Sequence, residues 1–215
     1  MPLIRTTQGD DGAKIGIWHI TEPEGFFLNR VQVEREVHHP HKRLQHLAAR
    51  YLLTALRPGF PVSEIRVAPS RKPYLPGHPC HFSLAHCGDY AVAAISGEHV
   101  VGIDVERISP QISRVASKFL SPAELQWLPR EEHLAVLAIC WSAKEAVVKW
   151  YGRGGVDFRG DIRLSPFTLA REGSLEAHFS KSGVNAVLRL HYIREADYQV
   201  SWVAQDPPGG RPWPC

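Results

Sequence analysis

Asp89-Tyr90-Ala91-Val92-Ala93-Ala94-Ile95 and Asp197-Tyr198-Gln199-Val200-Ser201-Trp202-Val203 echo one another at an offset of 108 residues, about half the chain. Each is a short apolar run opened by Asp-Tyr, and each follows a long helical stretch. A helix-then-strand unit used twice predicts an α+β fold of two pseudo-symmetric lobes, each a helix packed on a small antiparallel sheet. The lobes expected are residues 1–99 and 100–205. An irregular tail, 206–215, follows, because its prolines and glycines oppose regular structure. A cleft between two such lobes is a common ligand site.

Upstream of the first echo, His81-Phe82-Ser83-Leu84-Ala85-His86 alternates, Gly88-Asp89 turns, and Tyr90 to Ser96 is apolar, which predicts a β-hairpin. Val100 to Glu106 predicts a further strand. The first helix runs from Pro40 to Leu56 with apolar residues at helical spacing and is stopped by Pro58-Gly59. Its start is rich in His and basic residues, the wrong sign for a helix N-terminus, and a bound anion would remove that conflict. The second helix runs from about Leu134 to Trp150 and is ended by Gly152, Gly154 and Gly155.

Composition narrows the function classes. With 44% hydrophobic and 22% charged residues the chain is too apolar for extended disorder. Its longest apolar run, Leu134 to Trp141, is far short of the roughly 20 residues a spanning helix needs. No basic stretch leading into an apolar one is visible near Met1, so a cytoplasmic location is expected. Cys80, Cys87, Cys140 and Cys215 are then thiols, read most simply as small hydrophobes. A formal net charge of +3 is too mild to argue for nucleic-acid binding, and acidic pairs would be unfavourable beside a phosphate backbone without metal.

Asp104 and Glu106 stand two apart in a predicted strand with apolar Ile103 and Val105 between them, so both carboxylates share one face, expected to be wet and doubly anionic. Such a pair suits Mg²⁺; the simpler alternative is a solvated strand face. In the second helix Trp141, Glu145 and Lys149 are each four apart and form one stripe beside an apolar face of Ile139, Ala143, Ala146, Val147 and Trp150. Taken alone, Glu145 and Lys149 form an ordinary i,i+4 salt bridge. His86, near Cys80-His81 and Cys87, has no further pair to complete a tetrahedral zinc set, and a hydrogen-bonded structural histidine is the plainer reading. Lys42, Arg43, Arg50 and the Arg71-Lys72-Pro73 turn are solvated if scattered and a phosphate pocket if they converge.

In order along the chain, a basic residue and Arg50 on one helix, Lys72-Pro73, Phe82-Ser83-Leu84-Ala85-His86, Gly102-Ile103-Asp104-Val105-Glu106 and Trp141-Ser142-Ala143-Lys144-Glu145-Ala146-Val147-Val148-Lys149 resemble the motifs of the two-lobed, Sfp-type 4'-phosphopantetheinyl transferases. The resemblance extends from about residue 40 to 155. It implies an enzyme that transfers the 4'-phosphopantetheine arm of coenzyme A to a serine of an apo acyl or peptidyl carrier protein, in fatty-acid, polyketide or peptide synthesis, releasing adenosine 3',5'-bisphosphate. By similarity Asp104, Glu106 and Glu145 bind Mg²⁺ with the pyrophosphate, Glu145 and Lys149 act in catalysis, and Lys42, Arg50, Lys72, His86 and Lys149 bind coenzyme A. Ala85 departs from the pattern, since many members carry a hydroxyl beside the histidine. A monomer is expected, with no membrane partner given the short apolar runs and no nucleic-acid partner given the mild charge. The alternative is a non-catalytic module that keeps a coenzyme A or nucleotide pocket.

Overall fold

Two-sided burial shapes the strands at the centre of this molecule; the first long helix buries one apolar side, while the second is buried all round along residues 135–140. The computed structural model describes residues 3–9, 11–31, 37–77 and 80–208. The chain begins with strands β1 (Leu3–Gln8) and β2 (Lys14–His19), the short helix α1 (Glu24–Leu28) and the long helix α2 (Pro40–Leu56). A two-stranded ribbon, β3 (Arg66–Val67) and β4 (Pro73–Tyr74), precedes the hairpin β5 (His81–Cys87) and β6 (Tyr90–Ser96). Strand β7 (Val101–Arg107), short helices α3 (Ala116–Phe119) and α4 (Pro122–Gln126) and the long helix α5 (His133–Tyr151) follow. Strands β8 (Ile162–Leu164), β9 (Glu172–Lys181), β10 (Val184–Arg194) and β11 (Tyr198–Ala204) complete the described fold.

The strands form two antiparallel sheets, β1-β2-β6-β5 and β7-β11-β10-β9-β8. Helix α2 covers one face of the first sheet, burying Leu52 and Leu53 against Trp18, Ala91 and Ala93. Helix α5 covers the second, where Ala143, Ala146, Val147 and Trp150 meet Leu188, Leu190 and Val203. The opposite faces pack on each other through Ile15, Ile17, Val92, Ala94, Ile103, Val105, Val200 and Trp202. The layers therefore run helix, sheet, sheet, helix, which makes β6 apolar on both sides and buries most of β7 on both, Asp104 included. Among the described residues no helix is long and apolar enough to cross a membrane.

The repeat seen in the sequence is geometric as well. In each half a strand, a long helix and a hairpin give the order strand, last strand, middle strand: β2-β6-β5 and β7-β11-β10. At matching points Ile20 N donates to Asp89 O at 2.7 Å and Ile108 N to Asp197 O at 2.9 Å. The two echo tyrosines, Tyr90 and Tyr198, meet across the seam with ring centroids 4.2 Å apart. Residues 206–208 are irregular; the rest of the expected tail, with Cys215, lies outside the described residues.

Candidate active site

Gly102 sets how closely α5 approaches β7. A Cβ on Gly102 would lie 2.0 Å from Ala146 O and 2.6 Å from Trp150 N, so only a residue without a side chain lets the helix backbone lie against the strand. The strand and helix run in opposite directions. Trp141, midway along α5, therefore reaches Glu106, late in β7, with its Nε1 donating to Oε1 at 3.0 Å. Lys149, two turns on, reaches Asp104, with Nζ donating to Oδ1 at 2.7 Å. Glu145 lies between them on the same helical stripe. Lys149 thus pairs across to the strand rather than forming the i,i+4 bridge to Glu145 that helical spacing alone suggests.

The expectation of a wet acidic face is corrected by this packing. Asp104 is only 6% exposed because α5 covers it, while Glu106 is partly buried. Burial pushes the Asp104 carboxyl above its ordinary range despite the opposing charge of Lys149. Glu106 is raised by burial and then by Asp104. Glu145 is pushed up to about 7, chiefly by burial and next by Asp104, with Lys149 opposing. Glu145 thus feels the charge of both strand acids, and Glu106 that of Asp104, in a partly dry cleft.

A buried polar ring fixes α5 behind the acids. Strand β11 sets Ser201 opposite Asp104 and Gln199 opposite Glu106. Gln199 Nε2 donates to Ser142 Oγ and, at 2.7 Å, to Ala138 O. Ser142 Oγ donates to Ser201 Oγ at 2.8 Å, and Ser201 Oγ donates back to Gln199 Oε1 at 3.1 Å. All three side chains are fully buried, and the closed cycle leaves each hydroxyl and amide partnered. Sequence reasoning does not find this ring, because Gln199 and Ser201 alternate with apolar residues like any half-polar strand. It also misses Cys87, whose thiol donates to Glu106 Oε2 at 3.5 Å and whose pKa is raised to about 11, mainly by burial and next by Glu106.

The basic residues are spread along the seam between the sheets. A cavity of about 200 Å³ is lined from the first half by Arg71, Lys72, Phe82 and Ser83 and from the second by Lys149 and Gly152. Lys72 Nζ donates to Trp150 O at 3.2 Å, tying the Lys72-Pro73 turn to the end of α5. Across the seam Ser83 Oγ accepts from Ile103 N at 3.1 Å, which fixes β5 beside β7. His86 is exposed, and its pKa is held below the ordinary value by loss of solvent around the ring, then by Lys149, His41 and Lys42. Lys42, His86 and Lys149 are therefore brought into one electrostatic neighbourhood. Lys42 is exposed in the first turn of α2, whose N-cap is His39, with Nδ1 accepting from Lys42 N at 3.4 Å. Arg50 lies two turns further along α2, is buried, and has Nη1 3.0 Å from His46 Nδ1. Arg43 is instead held by Glu24, with Nε donating to Oε1 at 2.6 Å.

Among the described residues no group of three or more His, Cys, Asp or Glu side chains stands close enough to hold a metal ion as placed. The donor chemistry nonetheless fits a hard divalent cation, since all three acids offer oxygen. Asp104 Oδ2 is buried without a hydrogen-bond partner, an orphaned anionic oxygen that a cation would satisfy.

Residues 100–203 match the family described as the 4'-phosphopantetheinyl transferase superfamily. The 4'-phosphopantetheinyl transferase psf-1 of Bacillus pumilus is 42% identical over 132 residues, covering 59% of this chain and 54% of that protein. AcpT of Salmonella typhimurium is 32% identical over 117 residues, covering 52% and 60%. Sfp of Bacillus subtilis is 31% identical over 98 residues, covering 43% of each. The chain thus spans about half the length of these curated relatives. The similarity to the 4'-phosphopantetheinyl transferase superfamily thus lies over residues 100–203, the part that carries Asp104, Glu106, Glu145 and Lys149.

Proposed function

We propose that this protein is a Mg²⁺-dependent enzyme that transfers the 4'-phosphopantetheine arm of coenzyme A to a serine of an apo acyl or peptidyl carrier protein, with adenosine 3',5'-bisphosphate as the second product. The observation that supports this best is the facing of Asp104 and Glu106 on β7 by Trp141, Glu145 and Lys149 on α5, fastened at both ends by hydrogen bonds. In the reaction the serine oxygen attacks the phosphorus bearing the pantetheine. The bond from that phosphorus to the bridging oxygen breaks, and the bisphosphate leaves with the electron pair. Asp104, Glu106 and Glu145 would hold the Mg²⁺, whose chemistry there would be to neutralise pyrophosphate charge.

The chain's own residues carry the rest. Glu145, at the middle of the stripe, accepts the serine proton directly or through a water. Lys149 is held along the acid face by Asp104, where it stabilises charge building on the leaving phosphate. Lys42, Arg50, Lys72 and His86 bind the coenzyme A phosphates through the seam that Lys72 and Lys149 line. Ala85 offers no hydroxyl there, so His86 takes its share alone. The same reading divides the chain into lobes 1–99 and 100–205 and sets a monomer to work in the cytoplasm.

Incubation with coenzyme A, Mg²⁺ and several apo-carriers, followed by intact-mass measurement, tests the reading. One carrier should gain a single phosphopantetheine arm, and chelation of Mg²⁺ should stop the gain. No mass change on any carrier at millimolar Mg²⁺ would reject it.

A further inference from the structure

Lys144 lies beside Glu145 in the same helical run, yet it points away from the acids into the protein and is fully buried. Its Nζ donates to the carbonyl oxygens of Phe119 at 2.9 Å, Phe158 at 2.7 Å and Ile162 at 2.9 Å, and to Glu124 Oε2 at 2.9 Å. Glu124 is equally committed: Oε1 accepts from Leu164 N at 2.9 Å and Oε2 from Ser121 N at 2.7 Å. An ammonium has three protons, so the acceptors saturate it. Desolvating a Lys–Glu pair is costly, and an apolar pair of similar volume often stabilises a core as well or better. What an apolar pair cannot do is fix three backbone carbonyls at one point.

Two of those carbonyls belong to residues whose rings grip Trp141. Phe158 stacks on the indole with centroids 5.2 Å apart and planes 6° from parallel. Phe119 meets it edge-on at 5.0 Å and 72°. The clamped indole donates its N–H to Glu106 Oε1 at 3.0 Å. We propose that Lys144 is a positioning residue: its buried ammonium fixes the backbone at Phe119 and Phe158, their rings lock Trp141, and the indole N–H aims the Glu106 carboxylate. The inference rests on the reading of Glu106 as a metal-binding carboxylate. It adds the outer layer of residues that orients that ligand.

The test uses Trp141→Phe, which keeps a ring but loses the N–H, Phe158→Leu, which loses the stacking partner, their double variant, and Lys144→Met. Each is checked for fold by circular dichroism. Mg²⁺ alone is then titrated into the metal-free protein by calorimetry, and the Mg²⁺ dependence of turnover is measured separately. Trp141→Phe should weaken Mg²⁺ binding about tenfold or more, the usual cost of losing an orienting partner. Phe158→Leu should weaken it in the same direction, and the double variant should bind no worse than Trp141→Phe. High Mg²⁺ should restore much of the lost turnover, which a purely structural defect would not allow. Folded Lys144→Met should weaken Mg²⁺ binding in the same direction, and wild-type affinity in it would remove Lys144 from the clamp; if it fails to fold, Phe158→Leu carries the decision. Wild-type Mg²⁺ affinity in folded Phe158→Leu, additive losses in the double variant, or no Mg²⁺ uptake by the wild-type protein would each overturn the clamp. A wild-type protein that binds Mg²⁺ and transfers nothing would instead remove the proposed reaction, while the variants' affinities still report on the clamp.

Discussion

At the scale of single residues, Lys149 decides between an ornamental and a chemical reading of the helix stripe. An exposed i,i+4 pair contributes only a few tenths of a kcal/mol, so as a surface partner it would hardly matter. Its contact with buried Asp104 at 2.7 Å places it among the acids instead. Lys149→Met keeps the stem and removes the charge. Turnover at saturating coenzyme A and carrier should fall about a hundredfold or more, with coenzyme A binding less affected. Rates within about threefold of wild type would return Lys149 to the surface. Glu145 supplies a second prediction, for the metal-free protein. Its carboxyl has an ordinary value of 4.5 and is raised in the fold to about 7, so the folded state holds a proton that the unfolded chain has already lost between those values. Stability associated with the neutral form is present at low pH and lost as pH rises through about 7. In excess chelator, Glu145→Gln should melt above wild type near pH 8, and the advantage should shrink toward pH 5. A melting difference independent of pH would contradict the raising of the Glu145 carboxyl by burial and, next, by Asp104.

At the scale of elements, the docking of α5 on β7 depends on Gly102. An added methyl there meets backbone atoms, Ala146 O at 2.0 Å and Trp150 N at 2.6 Å, neither of which can swing away. A glycine that faces the long helix of the first sheet, Gly16, would have as its nearest neighbours the side-chain ends of Leu52 and Leu56 at 2.9 and 3.0 Å. Gly102→Ala should therefore cost more than Gly16→Ala in urea unfolding, at or above the roughly 1–3 kcal/mol typical of overpacking. It should also depress transfer, since α5 must lift from the acids. Equal costs, or full activity in Gly102→Ala, would show that the close approach is dispensable. The elements themselves are largely legible in the sequence: the expected helices 40–56 and 134–150 are Pro40–Leu56 and His133–Tyr151, and the hairpin and following strand lie within a residue of expectation. The local period of each carries its own signal. The face shared by Asp104 and Glu106 is legible for the same reason. Its dryness is not, because the covering helix comes about 40 residues later and its approach is set by tertiary packing. Strand β2 is obscured because Ile15 to Trp18 are buried on both faces, which erases alternation. The Lys144–Glu124 pair is hidden too, since partners 20 residues apart obey no helical spacing.

At the scale of the whole molecule, the two halves are alike in backbone and unlike in chemistry. Pairing Ala91 with Gln199 and Ala93 with Ser201 by the 108-residue offset makes Gly16 the counterpart of Asp104 and Trp18 the counterpart of Glu106. The first half therefore has no acid pair beneath its long helix: Gly16 admits Leu52 and Leu56, and Trp18 fills the core. One half contributes the acids, while the other contributes the Lys72 turn and His86 from across the seam. Such a division requires the halves to hold together as one unit. The layer between the sheets supplies the means, because Ile103, on the reverse side of the strand from Asp104, is fully buried with Ile15, Ile17, Val92 and Ala94 from the other sheet. Ile103→Ala should open a cavity at this seam and cost about 2–5 kcal/mol. If the seam makes the molecule cooperative, hydrogen exchange of amides in α2, such as Leu52, and in α5, such as Val147, should accelerate by the same factor in the variant. Were the halves independent, the nearer helix, α5, would lose protection and α2 would keep it. That split outcome, measured under conditions where exchange reports opening equilibria, would mean that a site shared between the halves rests on docking of separately folded lobes rather than on a common core.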